Sequence, residues 1–357
     1  MEYVKIHTIK PTATLSVGFF AFSRKISDAM SICRCIIKVI GGMYMVNFLF
    51  KRLGQFIIVL LVASVIIFIL VRLSQVDPVS VILGGKQSST ETVANLRAKF
   101  GLDRPVIEQY FTWITGMLRG DFGFGYKYQQ PVSELIAARI PITFGLVFIG
   151  SLTALILAIP MGVISALKQN SPIDTTLSML ALILGAAPSF LISIIMIMIV
   201  AKVAPSFPVT GNYSSFGEYL QRLSLPSLAL TFSMLALASR VTRSGMIEQI
   251  QAPYVQTAKA KGVPLSRIIT RHALKNAVIP LIAVISLQIG NMIVGAVLVE
   301  NVFSLAGLGS LLVAGIKSSD YPIVQGITML LVFIFLVIST LADIIYAVID
   351  PRIRQSI

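Results

Sequence analysis

Charge is scarce in this chain. Only 12% of its 357 residues are Asp, Glu, Lys or Arg, about half the share of an ordinary soluble domain. With 56% hydrophobic residues and a mean hydropathy of +0.87, this excludes a soluble globular protein and identifies an integral membrane protein. Cysteine is nearly absent. Cys33 and Cys35 form a single C-x-C near the N-terminus, with no second pair to complete a zinc site and nothing to suggest a disulfide framework. Histidine occurs only twice, and His272 sits in a basic loop, where a solvated or packed imidazole fits better than a metal ligand. There is no H-E-x-x-H. Gly84-Gly85-Lys86 fails as a phosphate loop, because Ser80 stands where the first glycine is required and Gln87 where Ser or Thr is required. Any ATP must therefore be bound by another chain.

Acidic residues are few as well, so the net charge is +14. In a soluble protein that would suggest nucleic acid. Here the cations cluster at the ends of apolar runs, as membrane topology requires, and no nucleic-acid partner is expected. Six spans are predicted, at about 56–71, 142–166, 177–203, 225–238, 278–299 and 327–348, the fourth being the shortest. Lys51 and Arg52, Lys168, the basic loop from Arg240 to Lys275, and Arg352 with Arg354 then fall on one face, which is cytoplasmic. Both termini share it. The expected fold is an all-α polytopic membrane protein.

Residues 1–44 carry six Lys or Arg but no apolar run long enough to span. They read either as a basic surface segment or as the result of a misplaced start, since the sequence from Met45 makes sense alone; no function is assigned to them. The long outer loop reads as a helical cap. Ser88-Ser-Thr-Glu91 fits a capping box, Gly101 a helix stop, Pro105 the first turn of a second helix, and Gly120 its end.

The stretch between the fourth and fifth spans is the most informative. Pro253 can open a helix over Tyr254–Lys261, Gly262 can take the left-handed conformation that ends it, and Val263-Pro264 prevents its continuation. Ser266 can cap the next helix. Thr257, Ala258 and Ala260 are small enough for a partner to approach, and Lys259 and Lys261 offer charge to an acidic groove. An ordinary basic loop that only sets topology is the competing reading.

Polar groups inside apolar spans are costly. Gln288 and Asn291 share a helix face and fit either the lining of a translocation path or bonds to a neighbouring helix. Glu300 fits a structural role at the outer end of the fifth span, or contact with an external protein. Asp343 fits an ion pair with a tail arginine, or a part in transport. Pro160, Pro188 and Pro280 are expected kinks.

Thr257-Ala258, Ala260-Lys261-Gly262, Arg271-His272-Ala273-Leu274, Asn276-Ala277 and Pro280 together resemble the "EAA" loop of ATP-binding-cassette importer permeases, in the oligopeptide/dipeptide/nickel branch. Gln256 replaces the founding glutamate. The resemblance covers residues 45–354, leaving a short tail at 355–357. It includes Phe100-Gly101-Leu102-Asp103, Gly120-Asp121-Phe122-Gly123, Glu300 with Gly307-Leu308-Gly309, Asp320-Tyr321-Pro322 and Asp350-Pro351-Arg352. Ala306 stands where the family usually has proline.

The resemblance implies a type I importer permease fold in a bacterial or archaeal cytoplasmic membrane. It implies a second homologous permease subunit, two cytoplasmic ATPase subunits holding ATP and Mg, and an external solute-binding protein. No cofactor is expected in this chain. Residues 253–262 would be the coupling helix. Di- or oligopeptides are the expected cargo and nickel or a metal chelate the alternative, although the spans lack the ligand cluster a bare ion would need. A membrane-embedded enzyme and an ATP-independent channel are the readings from other classes.

Overall fold

The computed structural model describes residues 43–73, 77–83, 89–208 and 215–349. The readings on 1–42, on Gly84-Gly85-Lys86, on Ser88 and on the tail arginines lie outside them. The chain divides into two units, Met1–Gln55 with Asp350–Ile357, and Phe56–Ile349. In the first, Arg52 Nη1 donates to Gln55 Oε1 at 3.4 Å and its guanidinium lies 5.8 Å from the Phe48 ring centre.

In chain order the helices are α1 (Met43–Arg72), α2 (Pro78–Ile82), α3 (Thr90–Lys99), α4 (Val106–Leu118), α5 (Val132–Leu167), α6 (Pro172–Ala186), α7 (Ser189–Val203), α8 (Phe216–Gln251), α9 (Pro253–Ala260), α10 (Leu265–Arg267), α11 (Leu274–Ala277), α12 (Ile279–Val302), α13 (Leu308–Lys317) and α14 (Tyr321–Ile349). A π-helical turn, Ile268–Ala273, joins α10 to α11. Strands β1 (Phe124–Gly125) and β2 (Gln130–Pro131) pair antiparallel ahead of α5. Five helices are long and apolar enough to cross a membrane, and the bent pair α6–α7 makes a sixth span if counted as one. Large apolar side chains such as Ile58, Phe148, Ile183, Met198 and Val294 face outward, as a lipid-embedded bundle requires.

The central contact is α5 against α8. A Cβ on Gly162 would run into Thr242 and the carbonyl of Ser239, so the helices approach closely only because that position is bare. Thr231 Oγ1 donates across the same seam to the Gly150 carbonyl at 3.1 Å. Leu146, Leu230, Met234, Met292 and Phe303 are buried where α5, α8 and α12 meet.

The fourth span is not short. Its apolar centre lies within α8, which has 36 residues and extends about 54 Å, well beyond a hydrocarbon core of about 30 Å. Arg222, Arg240, Arg243 and Glu248 interrupt the apolar run without interrupting the helix, so hydropathy gives the embedded part and not the helix length. The third span is broken. Pro188 has no N–H and holds Ala187 extended (φ −79°, ψ 133°), and α6 and α7 meet at 101°. Pro160 lies inside α5, whereas Pro280 sits in the first turn of α12 and begins that helix rather than kinking it.

In the outer loop the first helix is capped by Ser89, one residue later than the S-x-x-E spacing predicts. Ser89 Oγ accepts from the Thr92 N–H at 3.2 Å, and its hydroxyl lies 2.9 Å from the Thr92 hydroxyl. That serine–threonine pair replaces the reciprocal glutamate. Pro105 is the cap of α4 and not its first residue. Gly101 and Gly120 are left-handed, at φ +63° and +82°, as their stop roles require. Tyr110 and Trp113 of α4 pack on Phe68 of α1, and Ser64 Oγ lies 2.8 Å from Tyr110 Oη. Ile107, Phe111 and Leu118 of α4 are exposed.

The hairpin is anchored by Asp320, which is fully buried just ahead of α14 and accepts from the Lys127 N–H at 2.8 Å. Burial pushes the Asp320 carboxyl above the usual range. Burial, and then the Asp320 charge, push the neighbouring Tyr126 phenol up to about 12, with Arg72 opposing. The folded state therefore favours the neutral phenol. Its contribution is complete below the ordinary tyrosine value near 10 and is lost as pH rises through about 12. Unfolding followed from pH 8 to 12 is expected to show an alkaline loss about 2–3 kcal/mol larger in the native chain than in Tyr126→Phe. Equal losses would assign the alkaline transition to other groups.

Candidate functional site

The coupling segment forms as its residues dictate. Ala252 is extended (φ −63°, ψ 145°), Pro253 opens α9, and the helix closes on Gly262 at φ +73°. The Gly262 N–H reaches the Lys259 carbonyl at 3.0 Å, and the Val263 N–H reaches Ala258 at 3.2 Å. These are the two crossed bonds of a Schellman stop. Val255 is fully buried, while Thr257, Lys259, Ala260, Lys261 and Gly262 are exposed and Ala258 is half-buried. Tyr254 is exposed as well, with its hydroxyl engaged within the chain. Its hydroxyl donates to Gln249 Oε1 at 2.6 Å and accepts from Asn276 Nδ2 at 3.1 Å. It therefore ties α9 to the end of α8 and to α11.

Ser266 does not cap. Pro264 is the extended residue before α10, and the Ser266 carbonyl instead accepts from Thr270 Oγ1 at 2.9 Å. The chain enters the helix as soon as it leaves the proline, two residues too early for a serine cap. Behind this segment Met246, Ala273, Ala277 and Ala166 form a small buried cluster. His272 is exposed on the π turn.

Gln288 and Asn291 do share a face. Asn291 Nδ2 donates to Gln288 Oε1 at 2.9 Å, and Gln288 Nε2 donates to the Ser233 carbonyl of α8 at 3.2 Å. The pair thus joins two helices and also lines a cavity of about 330 Å³ at the α6–α7 break. A second cavity of about 350 Å³ runs between α5, α6 and α8 as far as Arg240 and Arg243. Gly185, Ala186 and Ser233 border both.

Glu300 is fully buried. Its Oε1 accepts from Thr143 Oγ1 at 2.5 Å and its Oε2 from the Ser310 N–H at 2.9 Å, while Thr143 Oγ1 accepts from the Leu308 N–H at 2.8 Å. A carboxylate on α12 therefore caps the N-terminus of α13, with Thr143 of α5 as third party. Gly307 is bare because a Cβ there would overlap the Glu300 carboxyl. Asp343 is half-buried on α14.

Sequence reasoning missed Asp174. It is nearly fully buried at the start of α6 and takes both Nε and Nη2 of Arg243, each at 2.7 Å. It also accepts from Ser165 Oγ and from the Asn170 N–H. Arg243 had counted only as a topology-setting charge. A lone acid beside an Asn-Ser-Pro turn, facing a basic loop, was the available signal.

Comparison with known proteins agrees with this architecture. Residues 158–355 match the family described as binding-protein-dependent transport system inner membrane component, and residues 45–147 match the N-terminal region of such membrane components. A permease named for peptide transport in Brucella abortus (strain 2308) is 34% identical over 314 residues, covering 87% of this chain and 99% of that protein. The dipeptide transport system permease protein of Escherichia coli (strain K12) is 34% identical over 337 residues, with the same coverage. The chain belongs to the family of binding-protein-dependent transport system inner membrane components, and is a multi-pass permease subunit and not an enzyme.

Proposed function

We propose that the chain forms half of the path for di- or oligopeptides in an ATP-driven importer, and that α9 carries the driving motion. Its partners in this reading are a second, similar permease subunit, two cytoplasmic ATPase subunits that bind ATP and Mg, and an external binding protein that delivers cargo. The peptide assignment rests on the names of the relatives. The observation that carries the coupling role is the form of α9. It is a short helix fixed at both ends, pinned through Val255 and Tyr254, with Thr257, Lys259, Ala260 and Lys261 exposed. An element so fastened passes a push on that exposed face into α8 and α12. Gln288 and Asn291 line the path in this reading, and Glu300 and Asp343 act as structural or gating residues.

A test exploits Gly262. A Cβ there meets nothing within 4 Å, so the backbone alone, at φ +73°, resists substitution. Valine is strained by about 1–2 kcal/mol in that conformation, whereas asparagine tolerates it. In proteoliposomes holding the whole transporter, Gly262→Val is expected to lower peptide uptake per ATP hydrolysed at least tenfold while ATPase activity persists. Gly262→Asn should stay near normal. Full uptake by the valine variant would refute the coupling role.

A further inference from the structure

The cavity of about 350 Å³ between α5, α6 and α8 has no part in the coupling proposed for α9, and its charge lies at one end. Arg243, at that end, is committed to Asp174, which accepts from its Nε and Nη2 at 2.7 Å each. Asp174 abuts the lining through Ser165 and Ser178, which both donate to it, so this acid and Arg243 cancel. Arg240, about one turn before Arg243, also lines the cavity. It is exposed, and among the described residues its guanidinium has neither an ion pair nor a hydrogen bond. The lining itself contains no Asp or Glu. The cavity therefore carries one uncompensated positive charge.

Polarity changes along its length. Arg240 stands two residues past the predicted apolar stretch of α8, at the cytoplasmic boundary. Ser233, which borders the far end, stands seven residues earlier, about 10 Å along the axis. That reaches into the inner half of a hydrocarbon core about 30 Å thick. Between these levels the wall includes Leu177, Leu182 and Leu237, and Leu182 and Leu237 are exposed. A cation at headgroup depth, next to exposed apolar side chains at acyl depth, has the polarity of a phospholipid standing in the inner leaflet. A soluble anion would meet the charge and leave the leucines uncovered. Basic pockets between membrane helices on the cytoplasmic side take anionic headgroups in this way.

We propose that this cavity binds an anionic phospholipid of the cytoplasmic leaflet, with its phosphate on Arg240 and an acyl chain against Leu177, Leu182 and Leu237.

The full chain, purified in neutral detergent, would be titrated with dioleoyl phosphatidylglycerol and separately with dioleoyl phosphatidylcholine, the bound lipid being counted by native mass spectrometry. Phosphatidylglycerol is expected to bind about fivefold more tightly, the worth of one cation near an anionic surface. Arg240→Gln should remove that preference and leave phosphatidylcholine unchanged, while Arg240→Lys keeps it. Arg267→Gln, an equal change of charge on α10, should leave it intact. Equal binding of the two lipids, or equal losses in Arg240→Gln and Arg267→Gln, would overturn the assignment. Glycerol 3-phosphate, which has the charge without the chains, should not compete even in large excess; competition would overturn the lipid in favour of a phosphate site. The preference should persist in the assembled transporter, and its loss there would assign this face to a subunit interface instead.

Discussion

Glu300→Ala is expected to destabilise the folded chain by about 2–5 kcal/mol, because it leaves two buried neutral donors without an acceptor at about 1–3 kcal/mol each. The loss has three parts. The Thr143 hydroxyl and the Ser310 N–H lose their acceptor in a site closed to water. The N-terminus of α13 loses the charge that opposes its dipole. The carboxyl itself leaves a hole against Gly307. Glu300→Gln keeps the shape and one acceptor oxygen, so it should cost less, about 1–2 kcal/mol.

The arrangement also predicts a non-additive pair. Gly307→Ala alone drives a methyl into the carboxyl, but in the Glu300→Ala background that space is free. The double variant should therefore be more stable than the sum of the singles by about 1 kcal/mol or more. Unfolding in mixed micelles, compared across the four proteins, measures this. Additive losses would mean that the carboxyl does not occupy the Gly307 site in solution.

What sequence reasoning reached and what it did not divide by range. The form of α9 was legible because it follows from demands within one segment: proline at the first turn, a left-handed glycine, a proline beyond it. The breaks at Gly101 and Gly120 were legible for the same reason, and the expected kink at Pro188 because proline acts on its own neighbours. The spans were legible as apolar runs, but their helix ends were not. Continuation of α8 past Arg240 depends on packing against α5 and α11 rather than on hydropathy. The one-residue shift at Ser89 turned on which of two adjacent serines found a partner in Thr92. The partners of Glu300 lie 157 and 10 residues away, and Arg243 lies 69 residues from Asp174. No local pattern marks such pairings. Gln288 bonds α8, the helix-joining role the sequence offered, and also borders a cavity that no local pattern marks.

The Asp174–Arg243 pair should matter for motion as much as for stability. α9 follows α8 after one extended residue, and Arg243 sits about two turns before that junction. Its bidentate grip on Asp174 fastens the inner end of α8 to the α5–α6 turn, and Ser165 adds α5 directly. In the coupling role proposed for α9, a push on it would move α5, α6 and α8 together while the grip holds. Asp174→Ala leaves a guanidinium that is only 29% exposed without its carboxylate, and strands the Ser165 hydroxyl and the Asn170 N–H. A loss of about 3–5 kcal/mol is expected. Arg243→Leu strands the carboxylate instead and should cost a similar amount. The double variant Asp174→Asn with Arg243→Leu buries no net charge and keeps an acceptor for Asn170. It should recover at least half of the loss, with a coupling energy above about 1.5 kcal/mol in the double-mutant cycle whose single variants are Asp174→Asn and Arg243→Leu. A swap to Asp174→Arg with Arg243→Asp should not rescue, because Ser165 and the Asn170 N–H still point donors at position 174. If the stability of the neutral pair returns but uptake per ATP does not, the ion pair is a mechanical link between the lever and the membrane helices. If both return together, its role is confined to holding the fold.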